Sequence, residues 1–196
     1  MTTSWWIIAS GPSLTKEDVD KLKGQKVAVI NNNYLIAPWA DLHYACDAHW
    51  WEWHYEKKEM IEFKGEKWSQ EQGWNKDLKD KYKSLNIKIV ESKPGEGIAA
   101  EGPIYQGCNS GIQAINLIYQ LFKPDTINLL GYDMKVSGDS PRWHGHHPNK
   151  VVANISNWVP RYNAVARDAD ILGLEIINYT RDTALTCFPR KSMDSL

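Results

Sequence analysis

The stretch Trp5-Trp6-Ile7-Ile8-Ala9-Ser10-Gly11-Pro12-Ser13-Leu14, running on into Thr15-Lys16-Glu17-Asp18, decides how the chain is read. Trp5 to Ala9 is a short continuous apolar run, the pattern of a strand buried on both faces. Gly11 and Pro12 break it. Thr15 with Asp18 three residues on has the form of a helix start, with Asp where Glu or Gln is commoner. A strand, a tight glycine turn and a helix N-terminus together predict an anion site. Free backbone N–H groups face outward, the helix dipole adds partial positive charge, and Gly11 lets a ligand approach the backbone. A plain connecting turn has the same signature, so its meaning depends on the rest of the chain.

Outward from that turn, strand and helix patterns alternate. A helix is predicted over 16–23, ended by Gly24. Strands follow at 26–30, 41–46, 67–70, 86–90, 126–130 and 174–178, most of them apolar enough for an internal parallel sheet. Helices are predicted over 48–56, 76–83 and 156–172. A further helix opens at Asn109-Ser110-Gly111, with an apolar face of Ile112, Ile115, Leu117, Ile118, Leu121 and Phe122, and stops at Pro124 and Asp125. Asn109 or Ser110 caps it, and its N-terminus is a second candidate anion site. This alternation predicts an α/β fold: one domain over 1–196, a mostly parallel sheet with helices on both faces. Segments 57–108 and 135–150 are read as loop or lid insertions. The first contains a loop at 91–108 rich in Gly and Pro, the second the run Arg142-Trp143-His144-Gly145-His146-His147.

At 196 residues the chain is long enough for a full core. A net charge of −1 gives no basic field for tight non-specific binding to nucleic acid; a nucleic-acid acceptor gets no help from charge. Cys46, Cys108 and Cys187 are odd in number, far apart and form no CxxC, which fits a reducing cytoplasm. The apolar run at the start is too short for a signal peptide or a membrane span. Ten tryptophans, many in polar surroundings, suggest flat apolar surfaces near a ligand or partner.

Polar residues fall at the predicted carboxyl ends of strands, where open α/β sheets bind ligands. Asn31-Asn32-Asn33 follows the second strand, Asp47 the third, and Gly131-Tyr132-Asp133 the strand at 126–130. These are expected to gather with the 10–14 turn. Helical spacing puts Trp50, Trp53 and His54 on one face, either as core or as a wall that stacks on a base or sugar. An imidazole titrating near neutrality suits removal of a hydroxyl proton, so His146 is the first candidate base and His144 the second. Asp133 could bond a ribose or donor hydroxyl, orient a base, or simply close a turn. His144, His146 and His147 have no fixed ligand spacing, and no metal site is assigned.

The order strand–Gly11-Pro12-Ser13-Leu14, strand–Asn31-Asn32-x-Tyr34, Ser110-Gly111 opening a helix, Gly131-x-Asp133 and Gly145-His146 resembles the bacterial sialyltransferases of glycosyltransferase family 42. It is also similar to a related, partly phage-encoded group that includes the archaeal hydroxymethylpterin pyrophosphokinases, which makes a phage or prophage origin an expectation. The resemblance spans residues 5–180 in outline and implies a single Rossmann-like domain. It implies that Gly11, Pro12, Ser13, Asn32 and Asn33 hold a nucleotide sugar, with Ser110 and Gly111 near the nucleotide. It makes His146 the general base and requires no metal. Where the family has a Tyr after its Gly-x-Asp, this chain has Lys135. The family's second Tyr would fall near Pro141 and is missing here, and the family's Arg before Ser-Gly is replaced by Gly107. Lys135 or Arg142 could neutralise the leaving phosphate instead, since a cation stabilises an oxyanion as a hydroxyl does. The implied function is group transfer from a cytidine or uridine nucleotide donor to a hydroxyl acceptor. Pyrophosphokinase-type transfer, with Mg²⁺ held through phosphates, and a non-catalytic nucleotide binder stay open beside it. The family also suggests a homo-oligomer.

Overall fold

The computed structural model describes residues 3–135, 142–143 and 155–196. Among the described residues nine strands are β1 (Ser4–Ile8), β2 (Val27–Ile30), β3 (Leu42–Tyr44), β4 (Glu66–Gln70), β5 (Ile87–Val90), β6 (Ser92–Lys93), β7 (Ile104–Tyr105), β8 (Thr126–Leu130) and β9 (Glu175–Asn178). The helices are α1 (Lys16–Asp20), α2 (Ala48–His54), α3 (Lys58–Glu62), α4 (Lys76–Lys81), α5 (Ser110–Phe122), α6 (Ile155–Trp158) and α7 (Arg161–Leu172). Seven strands form one sheet in the order β5-β4-β3-β2-β1-β8-β9, every neighbouring pair parallel. The two short strands β6 and β7 pair separately.

The apolar start of the chain is the middle of this sheet. β1 pairs with β2 on one side (Ile7 opposite Ala28) and β8 on the other (Ile7 opposite Leu129). Its alternate side chains enter two different cores, as the two-residue repeat of a strand requires. Trp5, Ile7 and Ala9 pack with Ile112, Ile115 and Ile118 of α5 and Val165 of α7. Trp6 and Ile8 pack with Val19 of α1, Trp50 and Trp51 of α2 and Met60 of α3. Helices therefore cover both faces, the Rossmann-like α/β arrangement that the alternation predicts. The chain order reverses direction across β1, between β2 and β8. The strand-end crevice at such a switch point is where open parallel sheets place ligands.

Three local departures from the sequence reading have simple causes. The predicted helix 156–172 is two, broken before Arg161, because Pro160 has no N–H to donate and its ring opposes a helix running through. The mixed-charge region after residue 57 holds the unpredicted α3, while the expected strands β4 and β5 join the main sheet, so this region is no mere loop insertion. β5 is the edge strand and β4 its neighbour, and their Lys88 and Glu66 pair with each other at the surface. The 91–108 loop is anchored, not loose. Buried Asn116 of α5 donates to Gly97 O at 2.8 Å and accepts from Ala99 N at 2.8 Å, and Ile98 N donates to Asp168 at 2.9 Å. α5 starts as expected, with Asn109 Oδ1 accepting from Gly111 N at 2.8 Å. Among the described residues no helix is long and apolar enough to cross a membrane.

Candidate functional site

The Gly11 turn lies on top of the Gly131 turn at the carboxyl ends of β1 and β8. Gly11 N donates to Gly131 O at 2.8 Å, and Ser13 N donates to Asp133 Oδ2 at 2.8 Å. Thr15 Oγ1 caps α1 by accepting from Asp18 N at 3.2 Å. The N–H groups of Gly11 and Ser13 in this turn are thus engaged inside the protein. Two successive strand ends meet here, and their backbones bond to each other. Glycine is required for that approach: a Cβ on Gly131 would come 2.2 Å from Ala9 O. Asp133 is 1 % exposed and lies beneath the turn, away from the cleft. Burial raises its carboxyl above the usual range, against the opposing pull of the Ser13 hydrogen bonds, and Oδ1 has no hydrogen-bond partner among the described residues. It braces the turn in this structure.

The cleft opens beside that brace and has two adjoining lobes. The first, about 500 Å³, is lined by Gly11, Cys46, Gln106, Ser110, Gly111 and Lys135, among others. The second, about 410 Å³, is lined by Asn32, His49, Trp50, Trp53 and Gly73. Ser10, Asn31, Asp47, Gln70, Gln72 and Arg142 border both. The strand ends of β1, β2, β3 and β4 meet there, which brings the predicted Asn31, Asn32 and Asp47 together with Ser10 and Gly11. Of the other sequence-derived candidates, Ser110, Gly111, Lys135 and Arg142 line the cleft, whereas Pro12, Ser13 and Asn33 do not. Pro141, His144 and His146 lie outside the described residues.

Each wall has its own chemistry. Lys135 pairs with Asp182, and Arg142 is half-buried, its guanidinium lowered by desolvation. A guanidinium remains cationic at neutral pH despite such a shift. Gln70 is fixed by Ser92 Oγ at 2.7 Å and by Cys46 O at 3.2 Å, and Gln113 by Tyr44 at 2.7 Å. These glutamines were missed from sequence because β4 reads as solvated surface and Gln113 as one polar position in a helix. Cys46 Sγ is 3.1 Å from Ser110 Oγ. Burial pushes its thiol up to about 12, so it stays protonated and is no nucleophile at neutral pH. Among the described residues no group of His, Cys, Asp or Glu is gathered to hold a metal ion.

The aromatic face of α2 is partly core and partly wall. Trp50 and His54 are buried and stacked, centroids 3.9 Å apart, and Trp50 Nε1 donates to Asn32 Oδ1 at 3.0 Å. Trp53 is 39 % exposed and faces the second lobe. Beneath them His43 is fully buried, its Nε2 bonded to Asn31 O at 2.8 Å and its Nδ1 without a partner among the described residues. That bond holds Asn31 in a left-handed conformation (φ 52°), turned between the two lobes.

Desolvation lowers His43 to about 3, so its imidazole is neutral in the folded protein and charges on unfolding below about pH 6.5. The unfolded state binds the extra proton in that window. His43 therefore costs up to about 1.4 kcal/mol of stability per pH unit as pH falls from about 6.5 towards 3. Asp133, whose folded carboxyl is raised, acts in the opposite sense. Urea midpoints at pH 7.5 and 5 should show the loss, and His43→Phe should flatten it. An unchanged pH dependence in that variant would remove His43 as its source.

Comparisons with protein-family models, curated proteins and solved structures return no match.

Proposed function

We propose that the chain is a transferase that binds a nucleotide-activated donor in the double-lobed cleft and moves the activated group to a hydroxyl acceptor. One observation carries this: Arg142 borders both lobes at the switch point beside the Gly11 turn, where a phosphate linking two parts of one ligand would lie. The second lobe, with Trp53 and the Asn32 amide, suits a flat pyrimidine base. The first lobe, with Lys135, Ser110 and Gln106, suits the group being transferred. In the reaction an acceptor oxygen forms a bond to the donor carbon while the bond from that carbon to the phosphate oxygen breaks. The bonding pair leaves on the phosphate, facing Arg142 and Lys135. The acceptor proton passes to an imidazole, His146 first and His144 second.

A thermal-shift screen of cytidine and uridine nucleotides, with and without Mg²⁺, tests the reading. A ligand at 100-fold its Kd adds about 2.7 kcal/mol, which for a chain of this size is a rise of about 5–10 °C. Absence of any shift at millimolar nucleotide would sink the proposal. Stabilisation by ATP alone, with strict Mg²⁺ dependence, would move the chain to pyrophosphoryl transfer. Binding with no release of nucleotide monophosphate in the presence of any acceptor would make it a binder.

A further inference from the structure

The pair Arg142-Trp143 is tied to the first turn at two points. Trp143 N donates to Ser10 O at 3.2 Å, and the indole Nε1 donates to Asn33 Oδ1 at 2.7 Å. Asn33 is wholly buried. Its Nδ2 donates to Ile8 O at 2.8 Å, the carbonyl at the end of β1, and Ser10 Oγ also donates to its Oδ1 at 3.4 Å. A planar amide is required here because one side chain must supply a donor to a strand carbonyl and an acceptor to an indole. Asp would lose the first and Leu both. Asn33 does not line the cleft, yet the residue next to its indole partner is the cation shared by both lobes.

We propose that Asn33 and Trp143 form a staple that positions Arg142 at the junction of the lobes, so that two residues outside the ligand's reach set the affinity of the cleft for a phosphate-bearing ligand. The inference rests on the reading of that junction as a phosphate site, but not on the identity of the nucleotide. Asn33 and Trp143 are positioning residues. Trp143 fixes the backbone beside Arg142, and Asn33 fixes the indole to the carboxyl end of the central strand. Desolvated, well-oriented charge-assisted hydrogen bonds lose much of their strength when their donor is free to wander.

Calorimetric titration with inorganic pyrophosphate at two salt concentrations provides the test. Arg142→Ala should weaken binding about tenfold or more and reduce its salt dependence. Trp143→Phe, which keeps the packing and removes the indole donor, should weaken it about three- to tenfold with the same loss of salt dependence. The double variant should bind no worse than Arg142→Ala, because the second change acts only through the first. A purely structural role would instead add to the Arg142 loss and leave the salt dependence of the single variant intact. Asn33→Ala, which removes the same bond from the other side, should reproduce the result and serves if Trp143→Phe does not fold. Pyrophosphate that fails to bind the wild-type protein, binds equally to Arg142→Ala, or binds equally to both staple variants would overturn the proposal. Pyrophosphate behaving as expected while every nucleotide fails would leave the staple standing and remove the nucleotide donor. Nucleotides that bind equally well to wild type and Trp143→Phe would do the reverse.

Discussion

Replacing Gly11 with alanine should lower the unfolding free energy by about 3 kcal/mol or more, read as a fall in the urea midpoint at unchanged slope. The new Cβ would stand 1.9 Å from Asp133 Oδ1 and 2.5 Å from Gly131 O. Neither neighbour can withdraw cheaply. Gly131 O is the acceptor for Gly11 N itself, and Asp133 is buried and bonded to Ser13 N. Overpacking usually costs about 1–3 kcal/mol, and a collision with backbone belongs at the top of that range or above it. Gly24→Ala is the control. Gly24 has φ 89° but nothing within 4 Å of the added carbon, so only backbone strain of about 1–2 kcal/mol is expected. A Gly11→Ala midpoint as high as that of the control would mean the two turns are not packed as described. The same substitution should also weaken nucleotide-induced stabilisation, since Gly11 borders the first lobe.

The largest effect on activity is expected from His146→Ala, a loss of about 10²- to 10⁴-fold in transfer with nucleotide binding retained. The case for His146 is chemical. A neutral imidazole accepts a hydroxyl proton at pH 7 and carries it away as the new bond forms. Among the described residues the imidazole that lines the cleft, His49, sits in the second lobe, the one assigned to the pyrimidine base, and is engaged with Glu52 at 2.6 Å. Asp133 is turned into the protein, and Cys46 is a protonated thiol. Arg142→Ala should behave differently, losing binding and turnover together, because in the proposed reading Arg142, which borders both lobes, faces the phosphate and not the acceptor. Transfer measured with saturating donor separates the two. Should His146→Ala turn over at the wild-type rate, His144→Ala is the next variant to measure. Full activity in both would end the imidazole mechanism.

The candidate site was legible wherever a polar residue followed an apolar run. Asn31, Asn32 and Asp47 stand at strand ends because an apolar stretch must leave the core where polar groups begin, and a parallel sheet puts all such ends on one edge. Gln70, Gln72 and Gln106 belong to the same cleft but carry no such mark. β4 is an edge-side strand with a half-solvated pattern, and Gln106 follows a two-residue strand inside a long loop. Nor could spacing show that Asn33 would turn inward while Asn32, its neighbour, lines the second lobe. In the short 3-10 turn that follows β2, adjacent side chains diverge, and the partner that claims Asn33 is 110 residues away.

By itself the sequence determined the alternation of strand and helix, the burial of the strand Trp5 to Ala9, the cap at the start of α5 and the edge of the sheet at which polar residues collect. These follow from local propensity and from the period of apolar residues, both written in short stretches. Tertiary structure alone decided which polar groups face the cleft and which are used internally. Gly11 and Asp133 lock two turns together, Asn33 holds Trp143, and Arg142 comes to border both lobes. Such assignments depend on pairings between residues more than a hundred positions apart, and no local pattern encodes them.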